Sequence, residues 1–160
     1  MANDWREHPK LKGRFHPDRP DDLQIMVHDG GPRFTDRRPE ILWTQVLGAD
    51  GDVFIGRVLD QPNQLKNVQA GAEIRFIAPE SGSHPLLVTG KYLGERALWR
   101  LLAPCRKCGM SELFDAPSDL IRAIFPQIPA DIAKGFTFTT RCGCCGEGVV
   151  VRWKRGAGLP

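Results

Sequence analysis

Apolar residues in this chain recur in short runs, several alternating with polar ones, which predicts strands more often than helices. Leu23-Gln24-Ile25-Met26-Val27-His28 is the first run, closed by the turn residues Gly30-Gly31-Pro32. Ile41–Leu47 and Val53–Leu59 follow, separated by Gly48-Ala49-Asp50-Gly51-Asp52, whose Asp-Gly step is a hairpin signal. Pro62 stops the second of these strands. Across residues 72–77, Ile74 and Phe76 point one way and Glu73 and Arg75 the other. Leu86-Leu87-Val88 completes a series of four or five short strands with no helix between them, the pattern of a small antiparallel sheet or barrel.

The pattern changes after residue 88. Thr89 can cap a short helix over residues 90–95. Leu98–Leu102 is apolar apart from Arg100. Ser118–Phe125 reads as a helix, with Leu120, Ile121, Ile124 and Phe125 on one face and Pro126 as its stop. A turn at Ala130–Lys134 ends at Gly135, and residues 136–140 and 149–153 look like the two arms of a hairpin. Upstream of the first strand, residues 1–20 contain three prolines and five basic residues, so they read as an extended arm. Residues 156–160 read as a loose tail. Trp43, Trp99 and Trp153, set among apolar neighbours, read as core.

All five cysteines fall after residue 104. Cys105-Arg106-Lys107-Cys108-Gly109 is a C-x-x-C knuckle, and Cys142-Gly143-Cys144-Cys145-Gly146 holds a second if Cys142 and Cys145 pair. Two intervening residues let the chain fold around one metal, and a glycine after the second cysteine lets the backbone turn away at positive φ. Four thiolates then close a tetrahedral shell. Cys105, Cys108, Cys142 and Cys145 are therefore the expected ligands of one structural Zn²⁺, with Cys144 as a spare thiol; swapped ligation through Cys144 is the alternative. A thioredoxin-type redox pair would open a helix after a strand, which Gly109 argues against, and the spacing is not a ferredoxin run. Four thiolates leave no open position for a catalytic water.

Charge and composition refine this picture. The 160 residues are 41% hydrophobic and 26% charged, which excludes a membrane protein, a collagen-like repeat and a mostly disordered chain; 17 Gly and 13 Pro argue against a helical bundle. Met1 to Phe15 is charged throughout, with no signal-peptide core, so the expected compartment is the cytoplasm, where thiols stay reduced. Residues 1–90 hold 11 Lys and Arg against 13 Asp and Glu, whereas residues 91–160 hold 11 against 6. Four cysteinates around Zn²⁺ carry a net charge of −2, which gives the basic half a structural rationale.

The expected fold is α+β, mostly β: an antiparallel β domain over 21–90 packed against a zinc ribbon over 91–155 that carries one or two short helices. The leading functional expectation is a non-enzymatic binding module that recognises a protein partner, with no membrane association. One alternative is a nucleic-acid-associated protein using the basic half, where Val151-Arg152-Trp153-Lys154-Arg155 interleaves an aromatic with cations. A second is an enzyme with a site near His28, Asp29 and Arg33. No nucleophile elbow, phosphate loop or carboxylate pair supports a particular reaction.

The middle of the chain resembles a bacterial family, domain of unknown function 2314. The likeness runs through Leu42-Trp43, then residues 51–62 from Gly51-Asp52-Val53 to Asp60-Gln61-Pro62, then Leu65, Val68 and Gly71-Ala72-Glu73-Ile74-Arg75-Phe76. It departs from the family at Ala72, where an acidic residue is common, and after Ile77, where an Asp-Trp step is absent. The resemblance implies a compact β domain and carries no catalytic residues.

Overall fold

The computed structural model describes residues 4–30, 37–79, 84–129 and 137–154. Gly31, Pro32 and Arg33, the turn at 130–134 with Gly135, and the tail at 156–160 lie outside them. The chain divides into two compact units, one formed by residues 1–29 and 37–88 and the other by 30–36 and 89–160.

The first unit contains β1 (Phe15–His16), β2 (Arg19–Val27), β3 (Glu40–Asp50), β4 (Val53–Val58), β5 (Glu73–Ile77) and β6 (Leu86–Val88). Neighbours in sequence pair antiparallel throughout, and β6 returns to pair with β2 at Met26–Leu86. Five consecutive antiparallel strands leave the first and fifth running in the same direction, so this closing pair is necessarily parallel. The sheet is thus a mostly antiparallel barrel of five strands, with β1 as a short addition beside β2. The hairpin expected at the Asp-Gly step joins β3 to β4 through Gly51, whose φ of 63° lies in the left-handed region that favours glycine.

Alternation places Leu23, Ile25, Val27, Leu42, Thr44, Val46, Phe54, Val58 and Phe76 inside this unit, each buried. Phe54 and Phe76 stack at 5.3 Å between ring centroids. Gly56 is the next inward-facing position on β4. A Cβ there would meet the Thr44 methyl at 2.6 Å and the Phe76 ring at 3.1 Å, so the close approach of β3 and β5 side chains depends on the missing methyl.

The segment expected as an extended arm contributes to the core instead. Its first turn is a 3₁₀ helix at Asp4–Glu7, and Trp5 and Leu11 join the buried cluster. Asp21 fixes this turn by accepting from Trp5 Nε1 at 3.2 Å and Arg6 Nε at 2.8 Å. Proline content had suggested extension; two apolar side chains at wide spacing carry no periodic signal but bury well. Trp43, expected in the core, is half-buried on the outward face of β3, with His16 edge-on at 5.1 Å and the Arg19 guanidinium over its ring at 5.3 Å. Alternation explains the difference, because Leu42 and Thr44 face inward.

The second unit contains α1 (Gly90–Glu95), β7 (Trp99–Leu101), α2 (Pro117–Ile124), β8 (Thr137–Arg141) and β9 (Gly148–Trp153). Thr89 caps α1, its side chain accepting from the Tyr92 backbone N–H at 3.1 Å. The strands form a sheet in the order β7-β9-β8, antiparallel throughout. Trp99 packs edge-on against Trp153 at 5.0 Å and against Phe138 at 5.6 Å, giving this sheet its own aromatic core.

Gly56→Ala is expected to destabilise the protein by about 1–3 kcal/mol in urea unfolding, through overpacking of the barrel interior. Gly48→Ala, where no atom lies within 4 Å of an added Cβ, is expected to leave the unfolding midpoint nearly unchanged.

Candidate metal centre

The topology of the second unit brings the two knuckles together. The β8–β9 hairpin turns through residues 142–147, so the second knuckle is the hairpin loop itself. On the other edge of β9, β7 runs antiparallel, and Leu102 N–H donates to Val150 O as the chain leaves the sheet. Its exit points toward the end of β9 from which the hairpin emerges, and the first knuckle follows three residues later. Both loops therefore lie at one end of the sheet.

The two loops share one backbone design. Gly109 N–H donates to Cys105 O at 2.8 Å, and Gly146 N–H to Cys142 O at 2.8 Å. Cys105 N–H donates to Met110 O and Cys142 N–H to Glu147 O, at 2.9 and 2.7 Å. Gly109 and Gly146 have φ of 80° and 82°, the left-handed conformation that a side chain would strain. This equivalence makes Cys145 the counterpart of Cys108 and leaves Cys144 as the additional thiol.

The sulfurs of Cys105, Cys108, Cys142 and Cys145 all lie within 4.8 Å of one another. Cys105 and Cys145 are 3.4 Å apart, and Cys108 and Cys142 are 3.5 Å apart. A tetrahedral shell with metal–sulfur bonds of about 2.3 Å has edges of about 3.8 Å, so four sulfurs at these separations fit around one ion with small adjustments. All four are free thiols rather than disulfides. The group is compatible with a structural metal site.

The surroundings favour thiolate character unevenly. Burial opposes ionisation of Cys105, but the backbone N–H groups of Cys108 and Lys107 outweigh it and bring the thiol down to about 7. Burial raises Cys142 and Cys145, although backbone N–H groups of Cys145 and Cys144 point at the first sulfur and that of Glu147 at the second. Burial and the nearby Cys108 sulfur push Cys144 up to about 11. Four sulfurs this close repel one another as anions, so full ionisation requires a cation among them.

Side chains far away in sequence hold the knuckles. A Cβ on Gly143 would stand 2.4 Å from two carbons of the buried Phe114 ring, so the second loop rests flat on that ring. Behind the first loop, Glu112 accepts from Tyr92 Oη at 2.5 Å and from Arg96 Nη2 at 2.7 Å, while Leu113 N–H donates to Tyr92 Oη at 3.0 Å. Burial and the Glu112 charge raise the Tyr92 pKa, which keeps its hydroxyl a donor. Sequence reading missed Phe114 and Glu112; the one available signal was the small residue inside the second knuckle.

The residues of the alternative enzyme site serve the first unit's backbone. Buried His28 donates from Nε2 to Leu87 O at 2.9 Å, and burial lowers its pKa to about 4, so it is neutral at pH 7. The Asp29 carboxylate accepts from the backbone N–H groups of Lys66 and Asn67, at 2.6 and 2.9 Å, and from Arg37 Nε at 2.7 Å. Burial opposes this charge, yet those donors hold Asp29 below its ordinary pKa. Arg33, the third residue of that alternative, lies outside the described residues. Trp153, considered as a stacking platform for nucleic acid, is buried against Trp99 and offers no open face.

No family model, curated protein or solved structure matches this chain. Among the described residues, no helix is long and apolar enough to cross a membrane.

Gly143→Ala is expected to weaken metal retention, because the added methyl displaces either the Phe114 ring or the loop; competition with a chelator should show the variant losing metal first. At His28 the sign of the pH effect is fixed. The unfolded imidazole binds a proton near 6.5 and the folded one only near 4, so stability falls as pH drops through that window, by up to about 3 kcal/mol. His28→Gln is expected to flatten the difference in unfolding free energy between pH 7 and pH 4 by that amount.

Proposed function

We propose that this protein is a non-enzymatic binding module whose second unit is a zinc ribbon stapled by Cys105, Cys108, Cys142 and Cys145, and that it recognises a protein partner. The observation that carries this reading is the convergence of two backbone-equivalent C-x-x-C-Gly loops on one group of four sulfurs. Soft thiolates in a tetrahedral arrangement select Zn²⁺ over hard cations. Such an ion has a filled shell, so its role is to hold two strand ends together; structural zinc of this kind contributes on the order of 10–16 kcal/mol of apparent binding free energy to folding.

A protein partner is favoured over a polyanion by the outward face of β3 and β4. There Ile41 is 38% exposed and Leu59 41% exposed, and Leu59 N–H donates to Trp43 O, so Trp43 and Leu59 lie side by side. An apolar strip containing an aromatic is a common centre of a protein interface. The reduced cytoplasm suits a thiol-held ion, and the likeness of the middle segment to domain of unknown function 2314 suits a β domain without catalytic groups.

Native mass spectrometry of the purified protein is expected to find one zinc ion per chain, and Cys142→Ser is expected to lose it. Stripping the ion with a strong chelator should speed amide hydrogen exchange in β7, β8 and β9 while β2 to β5 keep their protection. A metal-free protein whose β7–β9 amides remain protected would falsify the staple.

A further inference from the structure

The aromatic core of the second unit occupies one face of its sheet, and the opposite face carries cations. Alternation turns Arg100 of β7, Val150 and Arg152 of β9, and Thr137, Thr139 and Arg141 of β8 to that side, away from buried Trp99, Val151 and Phe138. The register sets them in rows. Arg100 stands directly opposite Arg152, with Thr137 across from Arg152 on the other strand. Two residues along, Leu102 N–H donates to Val150 O, which makes an apolar row; Leu102 is 49% exposed. Arg141, opposite Gly148, makes the row after that.

Like charges directly opposite each other in a sheet repel. No carboxylate relieves this pair. Glu95, Glu112 and Asp119 are engaged by Ser118, Arg96 and Lys91, and among the described residues neither the Arg100 nor the Arg152 side chain has a hydrogen-bond or ion-pair partner. Thiolate charge at the knuckles does not account for the pair either. Arg152 lies four residues along β9 from Gly148, which is about 13 Å at the usual strand rise and exceeds a Debye length of about 8 Å.

We propose that this face docks an extended acidic segment of the protein partner, with carboxylates over the two arginine rows and an apolar side chain over Leu102 and Val150. This rests on the reading of the protein as a module for a protein partner and adds the chemistry of that partner. Guanidinium groups take carboxylates and phosphates alike in a bidentate fashion, so the rest of the face decides between them. A phosphodiester backbone has no apolar group to cover the middle row, and no aromatic ring among the described outward residues offers a base a stacking surface. In an extended peptide, residues i, i+2 and i+4 face the same way at intervals of about 6.7 Å, the spacing of the rows themselves. Glu-x-Leu-x-Glu therefore matches the order of cation, apolar and cation.

The test follows fluorescence anisotropy of a labelled peptide holding two copies of Glu-Ser-Leu-Ser-Glu, beside its Gln-for-Glu version and a thymidine oligonucleotide of equal charge. The full-length zinc-loaded wild type is compared with Arg152→Glu, Arg100→Gln and Trp43→Ala. The wild type is expected to bind the acidic peptide about ten-fold more tightly than the Gln version, and both arginine variants are expected to lose about ten-fold. Arg152→Glu gives Arg100 a carboxylate opposite it, so its urea midpoint is expected to stay level or rise while binding falls. Trp43→Ala is expected to bind the peptide as the wild type does. Peptide binding that is lost in Trp43→Ala but kept in the arginine variants moves the segment to the first unit and overturns this face alone. Absence of peptide binding, or equal affinity for the Gln version, also overturns the face and leaves a protein partner to the exposed strip of β3 and β4. An oligonucleotide held more tightly than the peptide, and lost in Arg152→Glu, overturns the face as a peptide site together with the protein-partner reading.

Discussion

The convergence of four sulfurs within 4.8 Å of one another is the constraint around which the second unit is organised. Neutral thiols fit that spacing as weak hydrogen-bonded pairs, whereas four thiolates would need a cation among them. The arrangement is nevertheless imposed from several directions. The β8–β9 hairpin delivers one loop, β7 delivers the other by pairing across β9, and each loop is closed on itself by two backbone hydrogen bonds. Phe114 beneath Gly143 and the Tyr92–Glu112–Arg96 group behind the first loop then fix where the sulfurs stand. A cation held by four thiolates would offset their repulsion and link segments separated by more than thirty residues, which is where loop closure contributes most.

The first unit solves a different problem with carboxylates. Between β4 and β5 the chain runs from residue 59 to 72 without regular structure, yet Leu65 and Val68 must reach the core. Glu40 accepts from the backbone N–H groups of Asn63, Gln64 and Leu65, and Asp29 from those of Lys66 and Asn67. Two side chains thus replace a strand partner for five consecutive N–H groups, and this explains why both acids keep depressed pKa values despite their loss of hydration. It also explains why a His-Asp pair at 28–29 is no sign of catalysis here. Both groups are fully engaged in holding backbone.

Most of the fold was legible because its strands alternate cleanly. The Ile74 and Phe76 register, the Asp-Gly hairpin, the Thr89 cap and the Pro126 stop all rest on local chemistry that tertiary structure did not override. Trp43 was misread because an aromatic among apolar residues looks like core unless parity along the strand is followed. Trp5 and Leu11 were missed because an irregular segment has no period to detect, although their burial is as complete as that of many strand residues. At the site, the knuckle spacing and the glycines after it were enough to bring four cysteines forward. What spacing could not supply was the scaffold: Phe114 and Glu112 act through contacts to loops distant in sequence, and no local pattern marks them.

Each knuckle presents its sulfurs unequally, and the inequality has the same sense in both. The first cysteine of each pair, Cys105 or Cys142, is buried and accepts two backbone N–H groups, while the second is more open to solvent. The inner pair of cysteines is therefore anchored by the fold, and the outer pair is more open to water. A metal held by all four sulfurs would have no place for a catalytic water, yet Cys108 would stay open to small reagents. Backbone donors tie the inner pair to the protein, and an ion held here would have its most exposed contact at Cys108. A metal staple built this way would open from the outside first, before the hydrogen bonds that shape the loops are disturbed.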